Sequence, residues 1–307
     1  MEHEVEQLFT TAGCVGSLCV QDMEGRREVG VAADLPVVAA SVIKVLIAVE
    51  VERQIAAGRL DPSQRVHLSA QARTPGPVGF SLYTDDVEVS LRDLLVPMLT
   101  ISDNVATDAL LAQVGIASCN ATAAELELSE TVIMDDLRTT INSIAQAAGF
   151  ADWEALTAWA AGSPTSEEEA AVRYRIHSAP AMRARTATRT TPRDMCLLLR
   201  LIWTDRAAPE AACRRIRNLM ARQLTRHRLA AAFASPTRVS AKSGGLLGVY
   251  RNEVGVIEYP DGRRYTAGVF TRATDSSSDE AAINAAIGHA AAWAVALLAP
   301  AETEARG

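Results

Sequence analysis

The stretch Ala40-Ser41-Val42-Ile43-Lys44 places a serine and a lysine three residues apart at the start of an apolar segment. Residues with this spacing lie on one face of a helix, so the pattern predicts neighbouring side chains. Of the 30 basic residues in the chain, only Lys44 and Lys242 are lysines. An arginine stays protonated, whereas burial or a nearby charge can make a lysine neutral. The two lysines therefore indicate positions that require an amine able to lose its proton.

The serine of this stretch has the setting of an activated nucleophile. A serine hydroxyl is a weak nucleophile until a neighbouring group takes its proton. The apolar pattern predicts a helix from Ser41 to about Ala57, ended by Gly58, which puts Ser41 at the positive end of the helix dipole. That dipole, burial and the second lysine all favour a neutral amine at Lys44. We therefore predict that Lys44 is the base that activates Ser41.

The composition is that of an ordinary globular chain, with 307 residues, 49% of them hydrophobic and 22% charged. This length suits a single domain, residues 1–307, with a well-filled core. The net charge of −7 argues against nonspecific binding to nucleic acid or anionic membranes. No uninterrupted apolar run reaches the ~18 residues of a membrane span. We therefore expect no nucleic acid and no membrane as a partner.

The histidines and cysteines follow no metal-binding pattern. The five histidines are isolated, and the five cysteines are scattered without a Cys-x-x-Cys pair. We expect reduced, mostly buried thiols, no metal site and no cofactor. The acidic residues 1–6 lack the basic start and apolar core of an export signal, so the expected location is cytoplasmic unless the chain is a trimmed mature form.

Alternating apolar residues predict strands at both ends of the chain. The predicted strands are Val15–Gln21, Glu28–Ala32, Val239–Lys242, Tyr250–Glu258 and Arg264–Thr271. Together with helices over residues 3–12 and Ser278–Leu298, they predict an α+β fold with an antiparallel five-stranded sheet flanked by N- and C-terminal helices. The α/β lobe comprises residues 1–57 and 205–307.

The middle of the chain, residues 58–204, predicts an all-helical lobe. The helical patterns, some continuing beyond this lobe, cover residues 91–99, 104–114, 121–127, 136–148, 152–161, 192–203 and 214–222. Ser90 is predicted to cap the first of them. The acidic cluster Glu167-Glu168-Glu169 is predicted to be a solvated helix face rather than a metal site.

Two further motifs accompany the opening stretch in a fixed order. Ile101-Ser102-Asp103-Asn104 begins a helix, and Lys242-Ser243-Gly244-Gly245 ends a strand-like run. Taken alone, the first also reads as a plain helix cap, and the second as an edge-strand lysine followed by a glycine turn. Ser-x-x-Lys, Ser-Asp-Asn and Lys-Ser-Gly in this order resemble the class A β-lactamases and penicillin-binding proteins. The Asp61-Pro62 connection and the segments Ser90–Leu95 and Thr190–Met195 extend the resemblance over most of the chain.

The resemblance implies a set of catalytic residues. Ser41 is implied to be the nucleophile and Lys44 its activating partner. Ser102 is implied to relay a proton to the leaving nitrogen, and Asn104 to orient Lys44 and the substrate. Lys242 is implied to supply positive charge to Ser102 and to a substrate carboxylate.

The same resemblance implies how a substrate is held. The backbone N–H groups of Ser41 and Gly245 are expected to form an oxyanion hole. Ser243 and Gly244 are expected to contact the substrate, with the Ser243 hydroxyl as a donor. Arg251 falls where such enzymes hold an arginine that pairs with a substrate carboxylate, although it also reads as an exposed strand arginine.

One motif of the class A enzymes departs from the family pattern. The deacylating Glu-x-x-Leu-Asn is replaced by Arg138-Thr-Thr-Ile-Asn142, beginning 36 residues after Ser102. Arg138 and Asn142 are expected to line the substrate site, but arginine cannot accept a proton. Asp135, Asp136, Glu154 or the 167–169 cluster are the alternative bases. The segment 143–189 is also longer than the family requires.

Three functions follow from these residues. The first is a serine acyl-enzyme hydrolase or acyltransferase acting on a carboxylate-bearing amide, ester or lactam, with Ser41 as nucleophile. The second is a genuine β-lactamase or D-Ala-D-Ala-type peptidase with a relocated general base. The third is a catalytically idle relative that binds a ligand or partner in the old cleft. The expected partner of the enzyme is a small-molecule substrate that carries a carboxylate.

Overall fold

The computed structural model describes residues 2–275 and 278–299. Its strands in chain order are β1 (Cys14–Asp22), β2 (Glu28–Val31), β3 (Val37–Val38), β4 (Arg65–Leu68), β5 (Val87–Ser90), β6 (Arg189–Thr190), β7 (Arg238–Leu246), β8 (Tyr250–Glu258) and β9 (Arg264–Ala273). Its α-helices are α1 (Glu2–Thr11), α2 (Lys44–Ala56), α3 (Leu91–Thr100), α4 (Asn104–Val114), α5 (Ile116–Glu125), α6 (Leu137–Ala147), α7 (Trp153–Ala161), α8 (Ser166–Ser178), α9 (Pro192–Trp203), α10 (Glu210–Met220) and α11 (Glu280–Leu298).

The five long strands form one antiparallel sheet in the order β2-β1-β9-β8-β7, which confirms the predicted fold class. One face of this sheet packs on the two terminal helices. Leu18, Val239 and Val269 of the sheet lie in one core with Phe9 of α1 and Ile287 of α11. Strand β7 is at the edge, so its outer side borders the helical part of the molecule.

The opposite face of the sheet packs on helices that come between β3 and β7 in the chain. Val254, Val256 and Phe270 lie in one core with side chains from α2, α3, α4, α9 and α10. Because cross-strand partners share a face, the pairing of Lys242 with Val254 puts Lys242 on this face. Helix α2 is buried along most of its length. The fold therefore brings the start of α2 against the edge strand that carries Lys242.

Several elements differ from the sequence prediction. The short strands β4 and β5 pair antiparallel within residues 58–204, which were predicted to be all-helical. Strand β7 continues to Leu246, beyond the predicted Lys242. Ser90 caps α3 as predicted, accepting from Asp93 N–H. The acidic cluster lies in the first turn of the exposed helix α8, where Thr165 and Glu168 form a capping box.

The segment 143–189 folds mainly as helices over a small core of its own. Ala145 of α6, Ala148 directly after it, Leu156 of α7 and Val172 of α8 are buried together. All five cysteines are buried free thiols, as predicted. Helix α11 is, among the described helices, the one long and apolar enough to span a membrane, but more than half of it is buried inside the fold.

Candidate functional site

The segment that leads to Ser41 is fixed from two sides. Strand β3 pairs with β6, and the Asn252 side chain donates to the carbonyls of Val38 and Ala39 at 2.9 and 3.2 Å. Ala40 then adopts a left-handed backbone with φ of 47°, a conformation that costs a non-glycine residue about 1–3 kcal/mol. Such strain is concentrated at functional sites, and here it immediately precedes Ser41.

The predicted start of the helix at Ser41 is wrong by three residues. Ala40–Ile43 form a 3₁₀ turn, and the α-helix begins at Lys44. The turn is continuous with α2, so Ser41 still lies at the N-terminal end of the helical segment. Ser41 is partly exposed, whereas Val42 and Lys44 are buried.

The amine of Lys44 is fully buried and held by the second motif. Its Nζ donates to Ser102 O at 2.7 Å, Ser102 Oγ at 3.2 Å and Asn104 Oδ1 at 3.0 Å. Burial lowers the pKa of Lys44 to about 7, although the carboxylates of Asp103 and Asp108 oppose the shift. An amine with this pKa exchanges a proton near neutral pH, as a general base requires.

The Ser102-Asp103-Asn104 turn is held in place by a neighbouring loop. Ser102 has a left-handed backbone with φ of 66°. Asp103 caps α4 through Ala106 N–H at 2.9 Å and accepts from Phe80 N–H at 2.6 Å. Asn104 Nδ2 donates to Pro75 O at 2.9 Å. The amide of Asn104 thus joins Lys44 to the loop, which fixes its orientation.

The second lysine shares the electrostatic environment of the first. Lys242 is fully buried, and burial, together with the charge of Lys44, lowers the pKa of Lys242 well below its usual value. The buried carboxylate of Glu253 opposes this shift. Lys242 Nζ donates to Ser243 O at 2.7 Å. The two lysines of the chain are therefore both buried amines that influence one another, as expected from their rarity.

Gly244 allows the edge strand to approach the backbone of Ser41. A Cβ at Gly244 would lie 3.2 Å from Ser41 N, 3.2 Å from Ala39 O and 3.1 Å from Val42 Cγ1. Gly245 follows at an exposed position opposite Arg251. Strand β7 and the Ser41 turn are thus adjacent.

Some expected contacts are not made. Within residues 2–275 and 278–299, no hydrogen bond joins Ser41 Oγ to Lys44 or Lys242 to Ser102. Lys44 donates instead to Ser102 and Asn104, and Lys242 donates to Ser243 O. In this arrangement the Ser41 hydroxyl is not engaged with either lysine.

Three residues expected to line the substrate site have other partners. Arg251 forms an ion pair with Glu280 at the start of α11. Arg138 Nη1 donates to Ala72 O at 2.9 Å, on the loop that precedes Pro75. Asn142 Oδ1 accepts from Trp153 N–H at 3.1 Å, which links α6 to α7. These contacts stabilise the surroundings of the site.

The carboxylates considered as alternative bases are exposed or hydrogen-bonded elsewhere. Asp136 caps α6 by accepting from Thr139 N–H, and Glu168 belongs to the capping box of α8. Asp135 and Glu154 are exposed, and neither contributes to the pKa of Lys44.

Asp108 is a carboxylate that the sequence reasoning missed. It accepts from Thr74 Oγ1 at 2.6 Å, Leu137 N–H at 2.8 Å and Arg138 N–H at 3.0 Å. Burial raises its pKa, against these hydrogen bonds. Asp108 lies one helical turn after Asn104 in sequence, and this spacing on a buried helix was the available signal.

A buried polar group behind β7 was also missed. Gln223 accepts from Ser243 N–H and donates to Glu253 Oε1 at 3.0 Å. Glu253 also accepts from Leu229 N–H at 2.6 Å. A glutamate within the apolar run of β8 signals a buried, hydrogen-bonded carboxylate, but its partners are distant in sequence.

Comparison with known proteins identifies the family to which this chain is similar. The Beta-lactamase enzyme family matches residues 1–295. The chain is 30% identical over 281 residues to a protein of Streptomyces cacaoi named beta-lactamase regulatory protein BlaB, covering 87% of this chain and 88% of that one.

Solved structures share the fold at lower identity. A β-lactamase of Sphaerobacter thermophilus aligns with a TM-score of 0.73 and 23% identity, covering 97% of this chain and 98% of its own. A PBP-A variant described as an acyl-enzyme complex with penicillin G aligns with a TM-score of 0.71 and 19% identity, covering 95% of each chain. The sheet, the helical lobe and these alignments define a protein with the fold of the β-lactamase superfamily of serine hydrolases. The chain belongs to the β-lactamase enzyme family.

Proposed function

We propose that this protein is a serine hydrolase or acyltransferase that forms an acyl-enzyme on Ser41. The substrate class is an amide, ester or lactam that carries a carboxylate. The observation that carries the proposal is the buried Lys44 amine, whose pKa of about 7 and hydrogen bonds to Ser102 and Asn104 suit proton transfer beside the Ser41 turn.

In the acylation step, the neutral Lys44 amine takes the proton of the Ser41 hydroxyl. The Ser41 oxygen then attacks the carbonyl carbon, and the backbone N–H groups of Ser41 and Gly245 stabilise the oxyanion. The carbon–nitrogen or carbon–oxygen bond breaks as Ser102 gives its proton to the leaving atom. Lys44 returns a proton to Ser102 across the 3.2 Å contact. The products are an ester on Ser41 and a protonated leaving group.

Release of the acyl group is proposed to be slow. Deacylation requires a base that activates water on the far side of the ester. Arg138 stands where the family has its glutamate, and Asp108 is occupied by three donors. This combination supports a long-lived acyl-enzyme over rapid β-lactam hydrolysis.

A second candidate function is a ligand-responsive regulator. It is favoured by the 30% identity to a protein named a β-lactamase regulatory protein. A stable ester on Ser41, or reversible occupation of the same cleft, would serve as the signal. A regulator that binds its ligand reversibly, without acylation of Ser41, would be the catalytically idle relative considered from the sequence.

The test is intact mass measurement after incubation with a fluorescent penicillin. A persistent adduct that is absent from Ser41→Ala, and retained by Ser63→Ala at an exposed control position, supports acylation with slow release. Rapid turnover of a chromogenic cephalosporin supports a genuine β-lactamase. No adduct, with unchanged ligand binding by Ser41→Ala, overturns the proposal in favour of noncovalent binding.

A further inference from the structure

A cavity of about 760 Å³ lies between α10 and the beginning of edge strand β7, away from Ser41. Five of its fourteen lining residues are arginines, and only Glu258 is acidic. The arginines are Arg217, Arg222, Arg226, Arg238 and Arg264. In a chain of net charge −7, this concentration of positive charge is contrary to the overall balance.

The arginines are only partly neutralised by neighbouring groups. Arg217 pairs with Asp205 at 2.6 Å, and Arg238 approaches Glu258 at 3.9 Å. Arg226 donates to the uncharged Val239 carbonyl at 2.9 Å. Within the described ranges, the guanidinium groups of Arg222 and Arg264 have no hydrogen-bond or ion-pair partner. Like charges gathered in this way repel one another unless an anion is bound.

We infer that this cavity binds a small molecule carrying two or more phosphate groups. Guanidinium groups match phosphate oxygens in a planar, bidentate geometry. The volume falls within the range of about 300–1,000 Å³ typical of small-molecule sites. A half-open recess between a helix and a sheet edge, with Arg222 and Arg226 exposed at its surface, fits a compact ligand better than a nucleic-acid backbone, which requires an extended positive stripe.

The cavity is connected to the catalytic strand through Gln223. This residue lines the cavity, and its side chain accepts from Ser243 N–H while donating to Glu253 at 3.0 Å. Ser243 adjoins Lys242 and Gly244 of the catalytic strand. A ligand held by the arginines therefore acts on the position of this strand, which makes the cavity an effector site. Its occupancy does not depend on acylation of Ser41.

Isothermal titration calorimetry of the full chain with pyrophosphate and with ATP tests the binding. We expect both to bind, and Arg222→Ala combined with Arg264→Ala to weaken affinity about tenfold or more. Arg214→Ala is the matched control, because Arg214 lies on α10, is exposed and pairs with Glu210 outside the cavity. An absence of binding, an equal loss in the control, or tighter binding of a DNA duplex overturns the inference.

Amide hydrogen exchange at Ser243 tests the connection and needs no catalytic activity. We expect bound pyrophosphate to slow this exchange in the natural chain but not in the double arginine variant. Unchanged Ser243 exchange on saturation overturns the effector role. A failure of penicillin labelling would affect only the proposed function, since both measurements here are made without an acylating compound.

Discussion

The amine of Lys44 lies 3.2 Å from the hydroxyl of Ser102, although the two residues are 58 positions apart in sequence. This contact joins the first two motifs inside one buried pocket. In the proposed mechanism, Lys44 returns a proton across this contact to the Ser102 hydroxyl, which protonates the leaving group. The pKa of Lys44 near 7 makes that transfer sensitive to pH in the physiological range.

The rate of Ser41 acylation should rise with pH around an apparent pKa of about 7. The reason is that only the neutral Lys44 amine accepts a proton, and burial lowers its pKa to about 7. The measurement is the second-order rate of labelling by a fluorescent penicillin from pH 5.5 to 8.5. Lys44→Met should label at least about 10²-fold more slowly. A flat profile, or full activity in this variant, would show that Lys44 is not the base.

The burial of Lys44 should also appear in the pH dependence of stability. Its pKa falls from 10.5 in its ordinary state to about 7 in the folded protein. Between these values the unfolded chain binds more protons, so the free energy of unfolding rises with pH. Relative to Lys44→Met, the natural chain should gain up to about 1.4 kcal/mol per pH unit between pH 7 and 9. The free energies of unfolding of the two proteins are measured by urea unfolding at each pH. If they change with pH by the same amount, the pKa of Lys44 is not shifted.

Local sequence patterns were sufficient to predict the central sheet and to single out two residues of the site. The alternation in β8 and β9 predicted the sheet, and the rarity of lysine marked Lys44 and Lys242. The family resemblance implied that Asn104 orients Lys44, and these two side chains are hydrogen-bonded; the contact of Lys44 with Ser102 was not predicted. The catalytic roles of these residues remain proposals.

The parts that were missed depend on contacts between distant segments. Helix α8 contacts the core mainly through Val172 and Ile176, and two apolar contacts are too few for periodicity to indicate a helix. The pairing of Arg251 with Glu280 and the hydrogen bond of Gln223 to Ser243 form only when the last helix and α10 pack on the sheet. The three-residue error at Ser41 arises because a 3₁₀ turn and an α-helix share the same apolar pattern.

Gly244→Ala should slow acylation strongly while leaving the protein folded. The added methyl would be 3.2 Å from both Ser41 N and Ala39 O, and it would push β7 away from the proposed oxyanion donors. We expect a loss of about 10²-fold, similar to the loss of one such donor. The measurement is the labelling rate, with circular dichroism as the check on folding.

The position of Val42 provides the control for this variant. Its Cγ1 is the nearest atom to the added methyl, at 3.1 Å. Because the backbone contacts remain, Val42→Ala should not restore activity to Gly244→Ala. Restoration would mean that side-chain crowding, rather than displacement of β7 from the backbone of Ser41, causes the loss.

Asp108→Asn should reduce stability without changing deacylation. Asp108 accepts hydrogen bonds from Leu137 N–H and Arg138 N–H at the start of α6, and an amide accepts them more weakly. We expect a loss of about 1–3 kcal/mol in the free energy of unfolding. The decay of the labelled acyl-enzyme should be unchanged. A decay slowed by tenfold or more would instead identify Asp108 as a relocated deacylating base.

Glu280→Gln should increase the preference for substrates that carry a carboxylate. Glu280 is largely exposed and pairs with Arg251, whose side chain is 13% exposed, so it competes with a substrate carboxylate for the guanidinium. Removing its charge should raise the labelling rate of a fluorescent penicillin about fivefold, which is the scale of one surface ion pair. The penicillin methyl ester, which lacks the charge, should show no gain.

Two further variants are the controls for this prediction. Arg251→Ala should remove the difference in labelling rate between acid and ester. Asp279→Asn should leave that difference intact, because Asp279 caps α11 without contacting Arg251. An equal acid-to-ester ratio in all four proteins would exclude Arg251 from carboxylate recognition.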